Sequence, residues 1–286
     1  MAMGVERLAT AGQVFRGLFM PSFHRDVCLT VRVRPDGGEV ELVALDPLGS
    51  TEIMELIGVR FGSERRPGRS REPTPPPWRT RAAISPERAA RFAHEMSALD
   101  REALSASTSC GLDGIRLRGE IADAGPVFQF SAWSPAPSSS PAQHGFFAGL
   151  YRLAAELIED ACARLALENL HGYLDLGLPV VDLGGVPRRL RLFGRLSADD
   201  TAELKTLFQS LRGEEALIMD LGNFENMGAA FYPLFRELAG RPGPTTWCAS
   251  APAHAQLVAA GVDTRTIFDR IEDALAACST AAMPPR

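Results

Sequence analysis

The chain has 286 residues and a net charge of −5, with 45% hydrophobic and 23% charged residues. These values are typical of soluble globular proteins, and the length predicts two domains. The acidic balance argues against a general nucleic-acid-binding protein. No apolar run of 18 residues is present, and the charges of Glu6, Arg7 and Arg16 interrupt the first apolar residues. We therefore expect neither a membrane span nor a signal peptide, and predict a cytoplasmic protein.

The N-terminal half opens with the pattern of an antiparallel sheet. Residues 27–33 and 40–45 alternate apolar and polar side chains on either side of a turn at 35–38, which is typical of a β-hairpin. A segment rich in proline and arginine follows at 63–79, and we predict that it forms a surface loop. A basic recognition patch, or a proline motif for an aromatic groove, is the functional alternative for this loop.

A helix is predicted after this loop, because Ser85 is a suitable N-cap and Pro86 suits the first helical position. Two more strands, 115–121 and 127–133, flank a second hairpin turn. Apolar residues then recur at helical spacing from His144 to about Leu170, which predicts one helix of about 40 Å. Residues 1–170 are thus predicted to form an α+β sensing or docking domain that ends in this long helix.

At about residue 171 the pattern changes to strands that alternate with helices. This alternation predicts an α/β domain over 171–280, with a mixed, largely parallel sheet covered by helices, and a tail at 281–286. The predicted strands are 178–183, 189–193, 216–221, 245–249 and 265–268, and the predicted helices are 199–211, 229–239, 252–260 and 270–278.

Three motifs occur in order within this C-terminal half. The first is Leu192-Phe193-Gly194-Arg195-Leu196-Ser197, in which the glycine lets the chain leave a strand. The second is an apolar strand that ends at Asp220-Leu221, followed by a short loop and a helix that begins near Ala229. The third is a short strand and an acidic helix at 262–275. In order and spacing these motifs resemble the STAS domain of sulfate transporters and anti-sigma factor antagonists.

The resemblance implies a domain that binds partner proteins and performs no chemistry. In that family a strand ending Asp-Leu-Ser leads to Asp-Ser-Ser-Gly at a helix N-terminus, and a partner kinase phosphorylates the second serine. The matching positions here are Gly228, Ala229, Ala230 and Phe231. Because alanine has no hydroxyl, no phosphorylation is expected there. Ser197 and Thr201 remain candidates for phosphorylation near the first helix of the domain.

Six residues around this loop are candidates for a partner-binding surface. They lie where the resemblance puts the recognition surface, and apolar and aromatic side chains there suit a permanent interface. The alternative is that the phenylalanine and tyrosine side chains fill the core beneath the helix. The six candidates are Asn223, Phe224, Asn226, Met227, Phe231 and Tyr232.

Sequence signatures of catalysis and cofactor binding are absent. There is no nucleophile elbow, no phosphate-binding Gly-x4-Gly-Lys and no dinucleotide-binding glycine motif. The five histidines lack metal-ligand spacing and the five cysteines include no Cys-x-x-Cys, so we predict no metal site and reduced, mostly buried thiols. One weak candidate ligand pocket combines Asp113, Trp133 and His144. The alternative there is a hairpin end packed under a helix.

The main hypothesis is a non-enzymatic regulatory or scaffold protein whose degenerate STAS-like domain binds another protein. The partner would be a regulatory protein, a kinase-like protein, an assembly subunit or a second copy, with no cofactor, nucleic acid or membrane involved. One alternative is a nucleotide- or small-ligand-binding module, or an enzyme, with its site in the N-terminal domain. Another is an accessory or immunity-type protein dedicated to a single partner.

Overall fold

A computed structural model describes residues 12–44, 77–106, 111, 113–123, 125–211, 213 and 215–281. The chain divides into two compact units, Met1–Asp175 and Leu176–Arg286. The predicted fold class is confirmed, since the first unit holds an antiparallel sheet and the second a mixed, largely parallel one. Most of the predicted proline- and arginine-rich loop (63–76) and most of the predicted tail (282–286) lie outside the described residues. Among the helices of the described ranges, none has the length and apolarity to cross a membrane.

Six antiparallel strands form the N-terminal sheet, in the order β4-β3-β2-β1-β5-β6. The strands are β1 (Gln13–Pro21), β2 (Val27–Arg34), β3 (Gly37–Ala44), β4 (Trp78–Ile84), β5 (Ile115–Ala122) and β6 (Phe128–Trp133). Both predicted hairpins are confirmed as the pairs β2–β3 and β5–β6. The strands β1 and β4 are additional to those predicted. Strand β1 lies in the middle of the sheet and is buried on both faces, so its sequence shows no alternation.

Helices cover one face of this sheet. They are α1 (Pro86–Ser97), α2 (Arg101–Leu104), α3 (Pro141–Leu157) and α4 (Ala161–His171). The predicted cap of α1 is confirmed, because the Ser85 hydroxyl accepts a hydrogen bond of 3.3 Å from the Arg88 backbone N–H. Helix α3 lies so close to β1 that a Cβ atom on Gly17 would be 2.8 Å from Leu150 Cδ1.

The single long helix predicted from His144 to Leu170 is wrong. Two helices occupy this range, and the chain between them is extended at Ile158. The carboxylate of Asp160 accepts a hydrogen bond of 2.9 Å from the Ala163 backbone N–H, so Asp160 is the N-cap of a new helix. Periodicity alone did not reveal the break, because the apolar spacing continues across it. The predicted helix of about 40 Å is therefore replaced by two shorter helices.

A row of polar side chains crosses all six strands on the other face of the sheet. From β4 to β6, the successive partners in register are Arg81, Glu41, Thr30, Arg16, Glu120 and Gln129. Arg16 donates hydrogen bonds to Thr30 (3.3 Å) and Glu120 (2.9 Å), and Arg81 donates to Glu41 (2.8 Å). Because Arg16, Thr30 and Glu41 are buried, these pairings satisfy polar groups that burial would otherwise penalise.

The C-terminal unit contains a five-stranded sheet in the order β13-β12-β10-β8-β7. Four strands are parallel, and β7 is an antiparallel edge strand. The strands are β7 (Val180–Gly184), β8 (Arg188–Leu192), β10 (Leu217–Leu221), β12 (Thr245–Ala249) and β13 (Ile267–Phe268). All five were predicted. A separate parallel pair, β9 (Gly194–Arg195) with β11 (Phe224–Asn226), was not predicted.

Four helices cover this sheet unequally. They are α5 (Thr201–Ser210), α6 (Tyr232–Ala239), α7 (Ala251–Ala260) and α8 (Ile271–Ala281), which were all predicted to within a few residues. Side chains of α5, α6 and α7 share one large core with the first face of the sheet, around Phe208, Phe235 and Leu257. Helix α8 contributes Ala274 and Cys278 to a smaller core with Ile218 and Cys248 on the second face. Within the described part of the chain, one face of the sheet therefore has three helices and the other has one.

Candidate functional site

The loop that follows β10 lies at the carboxyl end of the parallel strands, where open α/β sheets commonly bind ligands and partners. We refer to it as loop 222–232. Asp220 holds its start, because the buried carboxylate accepts hydrogen bonds from Gly222 N (3.1 Å, to Oδ1) and Arg189 Nη2 (2.7 Å, to Oδ2). Both oxygens of Asp220 are thus used in positioning the loop and the neighbouring strand.

Gln256, on α7, clamps the middle of loop 222–232. Its side-chain oxygen accepts a hydrogen bond of 2.8 Å from Met227 N, and its side-chain nitrogen donates one of 3.1 Å to the Glu225 carbonyl. The amide of Gln256 therefore satisfies two backbone groups of the loop in the manner of a neighbouring strand.

The other side of loop 222–232 pairs with the segment after β8. Gly194 N donates to the Asn223 carbonyl (2.8 Å), and Leu196 N donates to the Asn226 carbonyl (3.0 Å). Gly194 has a φ of +62°, a conformation that favours glycine, so the chain turns here to meet the loop. Hydrogen bonds on both sides leave the backbone of residues 223–227 little freedom.

Three of the six candidate partner-binding residues belong to the core. Phe224, Met227 and Phe231 are each no more than 4% exposed and lie in the large core of the C-terminal unit. Their side chains anchor loop 222–232 from beneath, so the prediction that they face a partner is corrected. The cause is that a loop held this closely to a sheet needs apolar anchors of its own.

The other three candidates retain some exposure. Asn226 is exposed, Asn223 is half-buried, and Tyr232 is half-buried and packs against the core at the start of α6. Gly228, Ala229 and Ala230, the positions that carry no hydroxyl, are all exposed. The outer surface of loop 222–232 consequently combines the small side chains of residues 228–230 with the Asn226 amide and the exposed Glu225 carboxylate, above a layer of buried anchors.

A short 3-10 turn (Ala229–Phe231) leads from this surface into α6. Gly228 occupies the N-cap position with an extended backbone, and no side chain caps the turn. The hydroxyls of Ser197 and Thr201 lie on the neighbouring segment and are bonded locally, to Asp200 Oδ2 (3.0 Å) and to the Ala198 carbonyl (2.7 Å). The exposed backbone of residues 228–230 is thus presented without a hydroxyl that could be phosphorylated.

The weak candidate pocket of the N-terminal unit consists of residues with separate packing roles. His144 is buried, and its Nε2 lies 2.7 Å from the Leu174 carbonyl oxygen. Trp133 packs on the turn before β5, since a Cβ on Gly114 would lie 3.4 Å from its ring. Asp113 is exposed on that turn. These placements favour the packing interpretation of Trp133 and His144.

Three of the four described cysteines have environments that disfavour the reactive thiolate. Burial raises the pKa of the thiols of Cys28 and Cys278, and raises that of Cys248 to about 11. Cys110 lies outside the described residues. Within the described ranges no cluster of three histidine, cysteine or acidic side chains has the arrangement of a metal site.

Gln256 is the positioning residue that the sequence analysis missed. A polar residue in α7, where His254 is the other one and the rest are small or apolar, is the signal that could have identified it. Its role depends on a contact 29 and 31 residues away in sequence, which no local pattern encodes.

Replacing Gln256 with alanine should loosen loop 222–232 without unfolding the unit. Two hydrogen bonds to backbone groups are lost, at a cost of about 1–1.5 kcal/mol. We expect amide hydrogen exchange at Met227 to accelerate about tenfold. Gln209→Ala, at an exposed position on α5, is the control and should leave that rate unchanged. Equal exchange rates in both variants would show that Gln256 does not hold the loop.

A scan against protein-family models finds no match to this chain. A search of curated proteins likewise finds no significant relative.

Proposed function

We propose that the chain is a non-enzymatic regulatory or scaffold protein, and that its STAS-like C-terminal unit binds another protein through the exposed surface of loop 222–232. The proposed family rests on the order and spacing of the three sequence motifs. The parallel sheet with its loop at the carboxyl end of β10 is compatible with that proposal. The binding proposal rests on the physical character of the loop itself.

The observation that carries the proposal is that the backbone of loop 222–232 is firmly held while the side chains of residues 228–230 are exposed. Asp220, Gln256 and the β9–β11 pair hold its backbone, and three buried apolar side chains anchor it. A segment held in one conformation loses little entropy on binding, so preorganisation of this kind increases affinity.

The size of the exposed side chains favours a protein partner. Gly228, Ala229 and Ala230 offer little side-chain area, so a partner can approach the backbone of the turn closely. Asn226 adds an amide that can both donate and accept hydrogen bonds beside the turn. Exposed side chains of this size present an open surface, whereas small molecules are usually bound by enclosed, convergent polar groups. In this proposal binding is constitutive, because no hydroxyl at residues 228–230 can be phosphorylated.

Ala230→Arg tests this proposal directly. The long side chain should obstruct the partner while leaving the fold intact, because Ala230 is exposed. Tagged wild-type protein and the variant are recovered from the native host after mild crosslinking, and each co-purifying protein is quantified by mass spectrometry. We expect at least one specific partner to fall by about tenfold or more, which corresponds to about 1.4 kcal/mol of binding free energy.

Ala259→Arg is the matched control, since it adds the same side chain at an exposed position on α7. The control should retain every partner of the wild-type protein. If Ala230→Arg and Ala259→Arg recover identical sets of proteins in equal amounts, the surface of loop 222–232 is not the binding site.

A further inference from the structure

Exposed apolar side chains concentrate on the hairpin formed by β7 and β8. Val181 is 44% exposed, Leu183 is 36% exposed and Val186, at the hairpin tip, is fully exposed. Val181 is opposite Arg191 of β8 and shares its face of the sheet, whereas Leu183 lies where the register between β7 and β8 shifts. Exposed apolar groups in contact with each other mark an interaction surface more often than scattered ones do.

The topology of the C-terminal unit explains why this hairpin is left uncovered. The crossover helices α5, α6 and α7 all pack on the first face, and only α8 packs on the second. Helix α8 reaches β10, β12 and β13, but its core cluster includes no residue of β7 or β8. Among the residues that the structure describes, the helices of this unit therefore leave the second face incomplete over the two strands that carry Val181, Leu183 and Arg191.

Strand β7 also ends the sheet, and no strand within the described residues pairs with its outer side. Proteins usually protect such edges with charged side chains. The edge strand β4 of the other sheet follows this rule with Arg79 and Arg81, which are both exposed. Strand β7 instead presents two valines, a leucine and a single charge at Asp182.

The charge of Asp182 is neutralised within the hairpin. Arg188 Nη2 donates a hydrogen bond of 2.7 Å to Asp182 Oδ2, and this bond lowers the pKa of the carboxyl. Arg189, on β8, is likewise paired with Asp220 at 2.7 Å. An incoming strand would thus meet an apolar edge of little net charge. Electrostatic complementarity then selects a strand that is itself apolar and neutral, and β7 of a second copy meets both conditions.

We propose that β7 pairs antiparallel with β7 of a second copy about a twofold axis, which joins two C-terminal units into one continuous sheet. The register follows from two constraints. Residues that are opposite each other in an antiparallel pair have their side chains on the same face of the sheet. When a strand pairs with its own copy, opposed residues must therefore be an even number of positions apart, which places the twofold axis at a residue and not between two residues. Leu183 lies at the register shift of β7, which makes it unsuitable as the centre of a regular pairing. A centre at Asp182 would oppose two carboxylates, whereas a centre at Val181 opposes two valines and puts Val180 across from Asp182. The Val181 register is therefore favoured.

The arginines of β8 do not prevent this pairing. Three strand spacings separate β8 of one copy from β8 of the other, a distance of about 14 Å. The Debye length at physiological ionic strength is about 8 Å, so repulsion between the two sets of arginines is largely screened.

The proposed contact between the two β7 strands needs no residue of loop 222–232 and is independent of the proposed function.

The oligomeric state of the purified full-length chain tests the pairing. Sedimentation equilibrium of the wild-type protein should show a monomer–dimer equilibrium. Val181→Lys should raise the dimer dissociation constant at least about tenfold, because it puts two ammonium groups opposite each other. Val258→Lys adds the same charge at a position that is 43% exposed on α7, and should leave the dimer intact. A monomeric wild-type protein, or a dimer that Val181→Lys does not weaken, would overturn the proposal.

A cysteine variant tests the register without adding charge. In Val181→Cys the two thiols would face each other across the twofold axis, with Cβ atoms about 4.5–5.5 Å apart, so oxidation should give a disulfide-linked dimer. Val258→Cys is the matched control and should crosslink no more than the wild-type protein does through its own cysteines. Equal crosslinking of the two variants would exclude the Val181 register. Ala230→Arg should still dimerise, which separates failure of this pairing from failure of the proposed function.

Discussion

Phe235→Ala is expected to destabilise the C-terminal unit by about 3–5 kcal/mol. Phe235 is completely buried at the centre of an aromatic cluster. Its ring centroid lies 5.3 Å from that of Phe208 and 5.9 Å from that of Trp247. These rings come from α5, α6 and β12, so truncation leaves a cavity where three elements meet. Rigid neighbours on three sides limit how far that cavity can collapse.

Hydrogen exchange of the amides in β10 and β12 measures this effect, because it reports the stability of one unit within the full chain. Exchange should accelerate by a few hundredfold or more, the factor that corresponds to this loss. Val258→Ala removes apolar atoms from an exposed position on α7 and should change the stability by less than about 0.5 kcal/mol. Similar small effects in both variants would contradict the assignment of Phe235 to the centre of the core.

Glu41→Ala is expected to cost about 2–3 kcal/mol in the N-terminal unit. The Glu41 side chain is only 5% exposed and accepts hydrogen bonds from three arginines, Arg32, Arg79 and Arg81. Removing the carboxylate leaves their positive charges together without an anion. The arginine side chains are 25% to 53% exposed, so water offsets part of the loss and the expected cost stays below that of a fully buried pair.

Glu39→Ala is the matched control on the same strand and face. Glu39 is 37% exposed and pairs with Arg32 at 3.1 Å, so its removal should cost less than about 1 kcal/mol. Urea unfolding of the two variants, followed by circular dichroism, compares the costs. If Glu39→Ala destabilises the protein as much as Glu41→Ala does, burial of Glu41 is not what makes its ion pairs important.

The Glu41 carboxylate should also make the stability of the N-terminal unit depend on pH. Burial acts to raise the pKa of Glu41, but the hydrogen bonds from Arg32 and Arg81 outweigh it and hold the pKa below the ordinary value of 4.5. The folded state therefore binds this proton less readily than the unfolded state. The contribution of Glu41 to stability should be complete above pH 4.5 and should be lost as the pH falls through the lowered folded-state pKa. Glu41→Gln should lack this loss.

Local patterns predicted most of the fold because most helices and strands have sequence signals that span only a few residues. Ser85 and Pro86 identify the start of α1, and the C-terminal strands are short apolar runs between turns. Strand β4 was missed because its alternating arginines look like the loop that precedes them. Their role depends on Glu41 in the adjacent strand, 38 and 40 residues away. These arginines are accommodated in a strand because they form ion pairs with Glu41 across the sheet.

The position of the candidate site in the chain could be predicted from the sequence, but which of its side chains are exposed and which are buried could not. The motif that ends at Asp220 identified loop 222–232, whereas hydrophobicity alone could not tell Phe224 and Met227 on a surface from the same residues in a core. Their burial follows from where α6 and α7 pack, which is a tertiary property. The exposed residues of the loop are its least conspicuous ones, Gly228, Ala229 and Ala230. Similarly, the incomplete cover over β7 follows from the handedness of three successive crossovers.

The most direct test of binding through loop 222–232 is a hydrogen-exchange footprint. The partner that Ala230→Arg fails to retain is purified, and exchange is compared in the chain alone and in the complex. Binding through this loop predicts slower exchange in peptides that cover residues 222–232, with no comparable change on the hairpin of β7 and β8. Protection confined to other surfaces, with loop 222–232 exchanging at its free rate, would contradict the account.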